Sequence, residues 1–124
     1  MSQIIYTPYA PAAIGPYSQA VVAGGLVFTS GQIPINPATG EITAQGIRAQ
    51  AVQVCENLKA VLEAAGSSLE KVVKTSCFLS NMGDFAEFNE VYAGYFTGKP
   101  ARSCVAVKTL PKNVLVEVDT VAEI

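Results

Sequence analysis

Along the chain, short apolar runs alternate with turn residues and are twice interrupted by a helical period. Gln3–Thr7 is a short β-prone run, ended by the proline-bearing loop Pro8–Pro16. Ser18–Ala23 and Leu26–Ser30 are two further β-prone runs joined by Gly24-Gly25, and a Gly-Gly pair between such runs signals a hairpin. Asn36-Pro37-Ala38-Thr39-Gly40 has the residues of a turn, with Asn before Pro and a closing Gly. Then Ile47, Ala51, Val54, Leu58, Val61 or Leu62, and Ala65 recur at steps of three and four, while Arg48, Gln53, Glu56, Lys59 and Glu63 fall on other faces, with Arg48 expected to be solvated. That spacing predicts an amphipathic helix, and Gly66 stands where a C-terminal cap glycine belongs.

Val72–Leu79 is β-rich with apolar residues on both faces, as in a central strand. Asp84 reads as the N-cap of a second helix, with Glu87 three residues on, and Phe85, Phe88, Tyr92 and Phe96 form its apolar stripe. These aromatics are expected to be core packing. Gly98 and Pro100 end the helix, and Ala101–Val107 and Val114–Val121 are the last two strands. The order β-β-β-α-β-α-β-β predicts an α+β single domain over residues 1–124. Strands joined through helices should run parallel with right-handed crossovers, which puts both helices on one face of a mixed sheet. The other sheet face then lacks cover, and a chain of this length has nothing left to supply it, so an oligomer with inward-facing sheets is expected.

Composition sharpens this picture. Half of the 124 residues are apolar and 15% are charged, an apolar-rich balance that also favours self-association. The net charge is −2, and the eight Lys and Arg are scattered, which argues against nucleic acid as a partner. No apolar stretch approaches the ~20 residues of a membrane span, and the N-terminus lacks the pattern of a signal peptide. The three cysteines, Cys55, Cys77 and Cys104, share no CxxC spacing and read as free thiols of a cytoplasmic protein. Without histidine, the usual Ser-His-Asp and Cys-His arrangements are excluded, and a zinc site is disfavoured. Acid–base chemistry must come from carboxylates, tyrosine, cysteine, lysine, backbone or water.

Two positions invite a chemical reading. Arg102 shares a strand face with Cys104 and Ala106, flanked by small residues, and needs a partner. It is either one half of an internal ion pair, with Glu117 or Asp119, or a bidentate clamp for a ligand carboxylate. Glu117 shares a strand face with Leu115 and Asp119. It is either a solvent-facing carboxylate or one held in a cleft to orient or activate a water. Gly15-Pro16-Tyr17 and Ser30-Gly31-Gln32 are loop corners where glycine permits close backbone approach. Cys104 has no histidine to activate it and defaults to a semi-buried thiol, and Cys55 and Cys77 read as packing residues.

Four segments in order, Ala12–Ala20 (AAIGPYSQA), Thr29–Pro34 (TSGQIP), Pro100–Val105 (PARSCV) and Leu110-Pro111 with Val116-Glu117, resemble the Rid (YjgF) family of reactive-intermediate deaminases over nearly the whole chain. The resemblance implies a chorismate-mutase-like α+β fold with a mixed six-stranded sheet and the last strand inserted between earlier ones. It implies a homotrimer with sheets inside, helices outside and clefts between subunits. It matches Arg102 to an arginine that clamps the substrate carboxylate, Glu117 to a glutamate that helps place the attacking water, and Tyr17 to a cleft tyrosine. Ser30, Gly31 and Asn89 match residues near the substrate, and Cys104 matches a cysteine whose neighbourhood lines the pocket. The implied reaction is hydrolysis of 2-imino acids such as 2-iminobutanoate and 2-iminopropanoate to 2-keto acids and ammonia, with no cofactor and no metal. The segment Thr97-Gly98-Lys99 is shorter than in many relatives, and Lys99 stands where they often carry an aromatic residue, which bears on substrate preference. A non-catalytic trimer that binds keto or amino acids is the alternative, and a chaperone-like protein that needs no cleft arginine is a third reading. Ribonuclease activity is disfavoured by the acidic balance and the missing histidine.

Overall fold

The computed structural model describes residues 2–124. Its strands are β1 (Gln3–Ile5), β2 (Ala20–Ala23), β3 (Leu26–Thr29), β4 (Val72–Leu79), β5 (Ala101–Ala106) and β6 (Val116–Glu123). Its helices are α1 (Gly46–Ala64) and α2 (Phe85–Tyr95). The predicted element order is the observed one, with strand ends shifted by up to two residues.

The sheet runs β1-β2-β3-β6-β4-β5. β4 and β5 pair parallel around α2, and every other pairing is antiparallel. The hairpin between β2 and β3 turns on Gly24 and Gly25, whose φ angles of 60° and 77° suit the left-handed turn that matches strand twist. β6 enters the middle of the sheet because it has the residues for it. Val116, Val118, Thr120 and Ala122 are buried beneath the helices, and Thr120 is tied to Thr29 of β3 through hydroxyls 3.1 Å apart. The next side chains, Glu117, Asp119 and Val121, point to the other face, which no helix covers.

α1 buries the predicted stripe, including Ile47, Ala51, Val54, Leu58, Val61 and Leu62. It closes as the sequence predicts: Gly66 takes φ +83°, donating to Glu63 O at 3.0 Å while Ser67 donates to Leu62 O at 2.9 Å. Gln50 joins the helix to the approach of β6 by accepting from the Leu115 N–H at 2.8 Å. Leu58 has no exposed surface. Leu58→Ala is therefore expected to lower stability by about 3 kcal/mol through lost burial and the cavity left behind, read as a lower urea midpoint at fixed protein concentration.

Two local expectations are corrected. Asp84 does not cap α2 with its side chain; its own backbone is already helical (φ −86°, ψ −1°). The chain turns earlier, through the 3-10 turn Met82–Asp84, where Asn81 takes the capping role by accepting from the Gly83 N–H at 2.7 Å. Arg48, expected to be merely solvated, is exposed but reaches across to α2 and pairs with Glu87 at 3.3 Å and with Glu90. The aromatics of α2 do pack inward, with Phe88, Tyr92 and Phe96 buried, the Phe88 ring tilted against Tyr92 and the Tyr92 ring stacked on Phe96. The uncovered sheet face carries exposed Ile4 of β1, Phe28 of β3 and Val105 of β5.

Candidate functional site

The residues singled out in the sequence gather at two places. Tyr17, Ser30, Gly31 and Glu117 line one cavity of about 480 Å³, together with Lys112 and an apolar wall that includes Ile14, Ile33 and Ile35. This cavity is built by loops that a buried glutamine holds. Gln19 accepts from the Thr7 N–H at 2.7 Å and donates to Thr7 O at 3.0 Å and Pro11 O at 2.8 Å, which pins the loop after β1. The Ile14 N–H then donates to the Tyr17 hydroxyl oxygen at 3.3 Å, so the phenolic proton stays free to donate elsewhere. Ser30 donates its hydroxyl proton to Ser18 O at 2.5 Å, leaving its oxygen as an acceptor. Gln19 was not among the predicted site residues; its signals were a polar residue before an apolar strand and its place in the Ala12–Ala20 segment.

Gly31 owes its identity to Glu117. A β-carbon at Gly31 would collide with the Glu117 carboxylate, and the corner cannot back away. On one side Ser30 N donates to Gln19 O at 2.9 Å; on the other, Gln32 and Val118 exchange backbone hydrogen bonds of 2.8 and 3.2 Å. Gly31→Ala is therefore expected to displace the Glu117 carboxylate. Any chemistry that depends on that carboxylate should fall at least tenfold, while the unfolding free energy from urea titration drops by less than ~1 kcal/mol, because the collision is mainly with the end of a side chain.

Glu117 is half-buried, and burial first, then the neighbouring Asp119 charge, push its carboxyl above the ordinary value. Asp119 is itself raised by burial, opposed by a hydrogen bond from Ser76 and by the charge of Lys74. The two carboxylates lie on one strand face, against Phe78 and Ser76 of β4.

The second place is a cavity of about 510 Å³ beside α2, lined by Arg102, Asn89, Tyr92 and Lys99 among others. Arg102 is half-buried. Its Nη1 donates to Asn89 Oδ1 at 2.6 Å, and its guanidinium carbon lies 4.7 Å from the centre of the Tyr92 ring and 5.4 Å from that of Phe85. Phe85, Asn89 and Tyr92 follow one another at helical steps of four and three, so one face of α2 cradles the guanidinium. The Tyr92 ring is itself held, its hydroxyl 2.8 Å from that of Thr75. Phe85 and Tyr92 were read only as packing residues; their second role needed the strand partner to be known. Cys104, next on the same strand face, is half-buried, and burial raises its thiol against the opposing charge of Arg102.

Arg102 and Glu117 do not meet within one chain. Arg102 pairs in register with Thr75, and Thr75 with Thr120, all on the helix-covered face. Glu117 pairs with Phe78, three residues from Thr75 and therefore on the opposite face. The internal ion pair of Arg102 with Glu117 or Asp119 is thereby ruled out, and among the described residues no carboxylate pairs with Arg102. The guanidinium is fixed, oriented by uncharged groups, and open to a cavity.

The sequence profile described as Endoribonuclease L-PSP matches residues 7–124. The chain is 49% identical to the 2-iminobutanoate/2-iminopropanoate deaminase of Escherichia coli K12, over 98% of both chains. It superposes on YyfA, a Rid-family protein of Yersinia pestis, with a TM-score of 0.97 at 46% identity over the whole of both chains. It also superposes on Escherichia coli TdcF with bound serine, at a TM-score of 0.93 and 46% identity over 98% of each. No helix among the described residues is long and apolar enough to cross a membrane. With its fold, its inserted last strand and its sequence all in agreement, the chain belongs to the Rid (YjgF) family.

Proposed function

We propose that this chain is a cytoplasmic 2-imino-acid deaminase, hydrolysing substrates such as 2-iminobutanoate and 2-iminopropanoate at clefts between the subunits of a homotrimer. The observation that carries the reading is the Arg102 guanidinium, held by Asn89, Tyr92 and Phe85, facing a cavity, with no ion-pair partner among the described residues. Such a group is suited to a ligand carboxylate. The similar Escherichia coli protein named for this reaction supports the choice of substrate.

The reaction balances with water alone: R–C(=NH)–COO⁻ and H₂O give R–C(=O)–COO⁻ and NH₃. The imine carbon is already electrophilic, so the protein's task is to fix the substrate, place the water and move protons. Arg102 holds the carboxylate. Glu117 orients the water and takes its proton as the C–O bond forms. Tyr17, with its phenolic proton free, donates it to the imine nitrogen as the C–O bond forms. Protonated Glu117 then passes its proton to that nitrogen while the carbinolamine hydroxyl returns a proton to the Tyr17 oxygen, so the C–N bond breaks as C=O forms and ammonia leaves. Ser30 and Gly31 shape the Glu117 side of the cleft; Asn89 and Cys104 shape the Arg102 side. The chain's own residues supply each of these steps without a cofactor. The two sides sit on opposite faces of one sheet, so a cleft that uses both is made by two copies. The uncovered face, with Ile4, Phe28 and Val105, is the surface those copies bury.

The test is imine lifetime. An amino-acid oxidase generates the imine, semicarbazide traps it, and purified protein suppresses trapping if the reading is right. A protein that binds 2-keto acids yet leaves trapping untouched would instead fit a non-catalytic ligand-binding trimer, a reading favoured by the serine bound to the similar TdcF.

The pH dependence follows from Glu117. As a base it must be ionised, and burial and Asp119 favour its acid form. The acid limb of kcat/KM should therefore have its midpoint above the ordinary glutamate value of about 4.3. Activity rises with pH through that midpoint, and Glu117→Gln removes the limb along with most of the rate.

A further inference from the structure

The Arg102 cavity holds a second cation that the reaction above does not use. Lys99 lines it with Arg102, Asn89, Thr97 and Pro100, and no acidic side chain is among the lining residues. The backbone of Lys99 is fixed in an uncommon state: its φ is 54°, left-handed for a residue that rarely adopts it. The turn is pinned on both sides. Lys99 N donates to O of the buried Phe96 at 3.4 Å, and Gly98 packs so closely on the Glu70 carbonyl that a β-carbon there would come within 3.0 Å of its oxygen. The two acids of α2, Glu87 and Glu90, are engaged by Arg48, and Glu70, whose carbonyl meets Gly98, is not among the lining residues. Lys99 and Arg102 lie three residues apart, at most ~11 Å along the chain, so their long side chains can converge on one ligand.

We propose that Lys99 and Arg102 form a two-cation site, and that Lys99 selects imino acids whose side chain bears a second carboxylate, such as 2-iminosuccinate and 2-iminoglutarate. This rests on the deaminase reading, with Arg102 taking the 1-carboxylate. Lys99 is the specificity residue and takes the side-chain carboxylate, as a mobile ammonium can without bidentate geometry.

The experiment compares wild type, Lys99→Gln and Lys99→Arg in two assays. One is hydrolysis of 2-iminoglutarate against 2-iminobutanoate. The other is calorimetric binding of the product keto acids 2-oxoglutarate and 2-oxobutanoate. The dicarboxylate-to-monocarboxylate ratio of kcat/KM should fall about fivefold in Lys99→Gln and be kept in Lys99→Arg. The ratio of affinities should follow, and added salt should reduce both. An unchanged ratio in Lys99→Gln overturns the proposal. So does an altered oligomeric state of that variant by size-exclusion chromatography, which would make Lys99 a subunit contact. Absence of hydrolysis of either imine, with Lys99-dependent 2-oxoglutarate binding intact, would keep the two-cation site and overturn the deaminase reading instead.

Discussion

Arg102→Ala is expected to lower kcat/KM for 2-iminobutanoate by roughly a hundred- to a thousandfold. The figure corresponds to losing two charge-assisted hydrogen bonds, together about 3–4 kcal/mol, at ~1.4 kcal/mol per factor of ten. The loss should appear in substrate binding and turnover alike, because the carboxylate is held in both ground and transition states and its position sets the imine carbon against the water. Arg102→Lys should recover little. An ammonium cannot present two parallel donors, and it does not stack between Tyr92 and Phe85 as the planar guanidinium does. The fold should survive either change. Arg102 lies on edge strand β5, and Asn89, which loses its donor at 2.6 Å, is only partly buried, so water can replace the bond. Circular dichroism and the oligomeric state should match wild type. A variant that folds, assembles and still suppresses imine trapping at the wild-type rate would remove Arg102 from the site.

How much of this was legible in the sequence depends on how far apart the cooperating residues lie. Elements set by local period were readable: the stripe of α1 from Ile47 to Leu62, the Gly24-Gly25 hairpin and the Gly66 cap all follow from neighbours within a few positions. At the start of α2 the position is legible but not the bond: Asp84 is the N-cap residue without a side-chain hydrogen bond, while Asn81 caps the 3-10 turn before it, and sequence alone does not say which side chain reaches a free N–H. Site residues were recognised as types but not as partners. Whether Arg102 could pair with Glu117 depends on which strands flank β4 and in what register, and the insertion of β6 there is a long-range choice that local alternation does not encode. The dependence of Gly31 on Glu117 is of the same kind, since neither residue's neighbours mention the other. Tyr92 shows the remaining limit: an aromatic on an apolar stripe is core packing by pattern. Only the strand beneath it reveals that its ring also carries a guanidinium and its hydroxyl meets Thr75.

The separation of the two half-sites makes its own strong prediction. Arg102→Ala and Glu117→Ala should each be nearly inactive alone, yet co-refolded in equal amounts they should recover about a quarter of wild-type activity. In the proposed trimer each cleft draws Arg102 from one copy and Glu117 from another. With random assembly, half of the clefts receive an intact arginine and, independently, half an intact glutamate, so about a quarter have both. Recovery of this size cannot come from either variant by itself, because the register that puts Arg102 with Thr75 and Glu117 with Phe78 keeps the two on opposite faces of one sheet. Activity is measured by semicarbazide trapping, and mixing of chains by a mass tag on one variant. If tagged and untagged chains mix in one assembly and activity stays at the level of the separate variants, the shared-cleft arrangement is wrong, and Arg102 and Glu117 serve different sites.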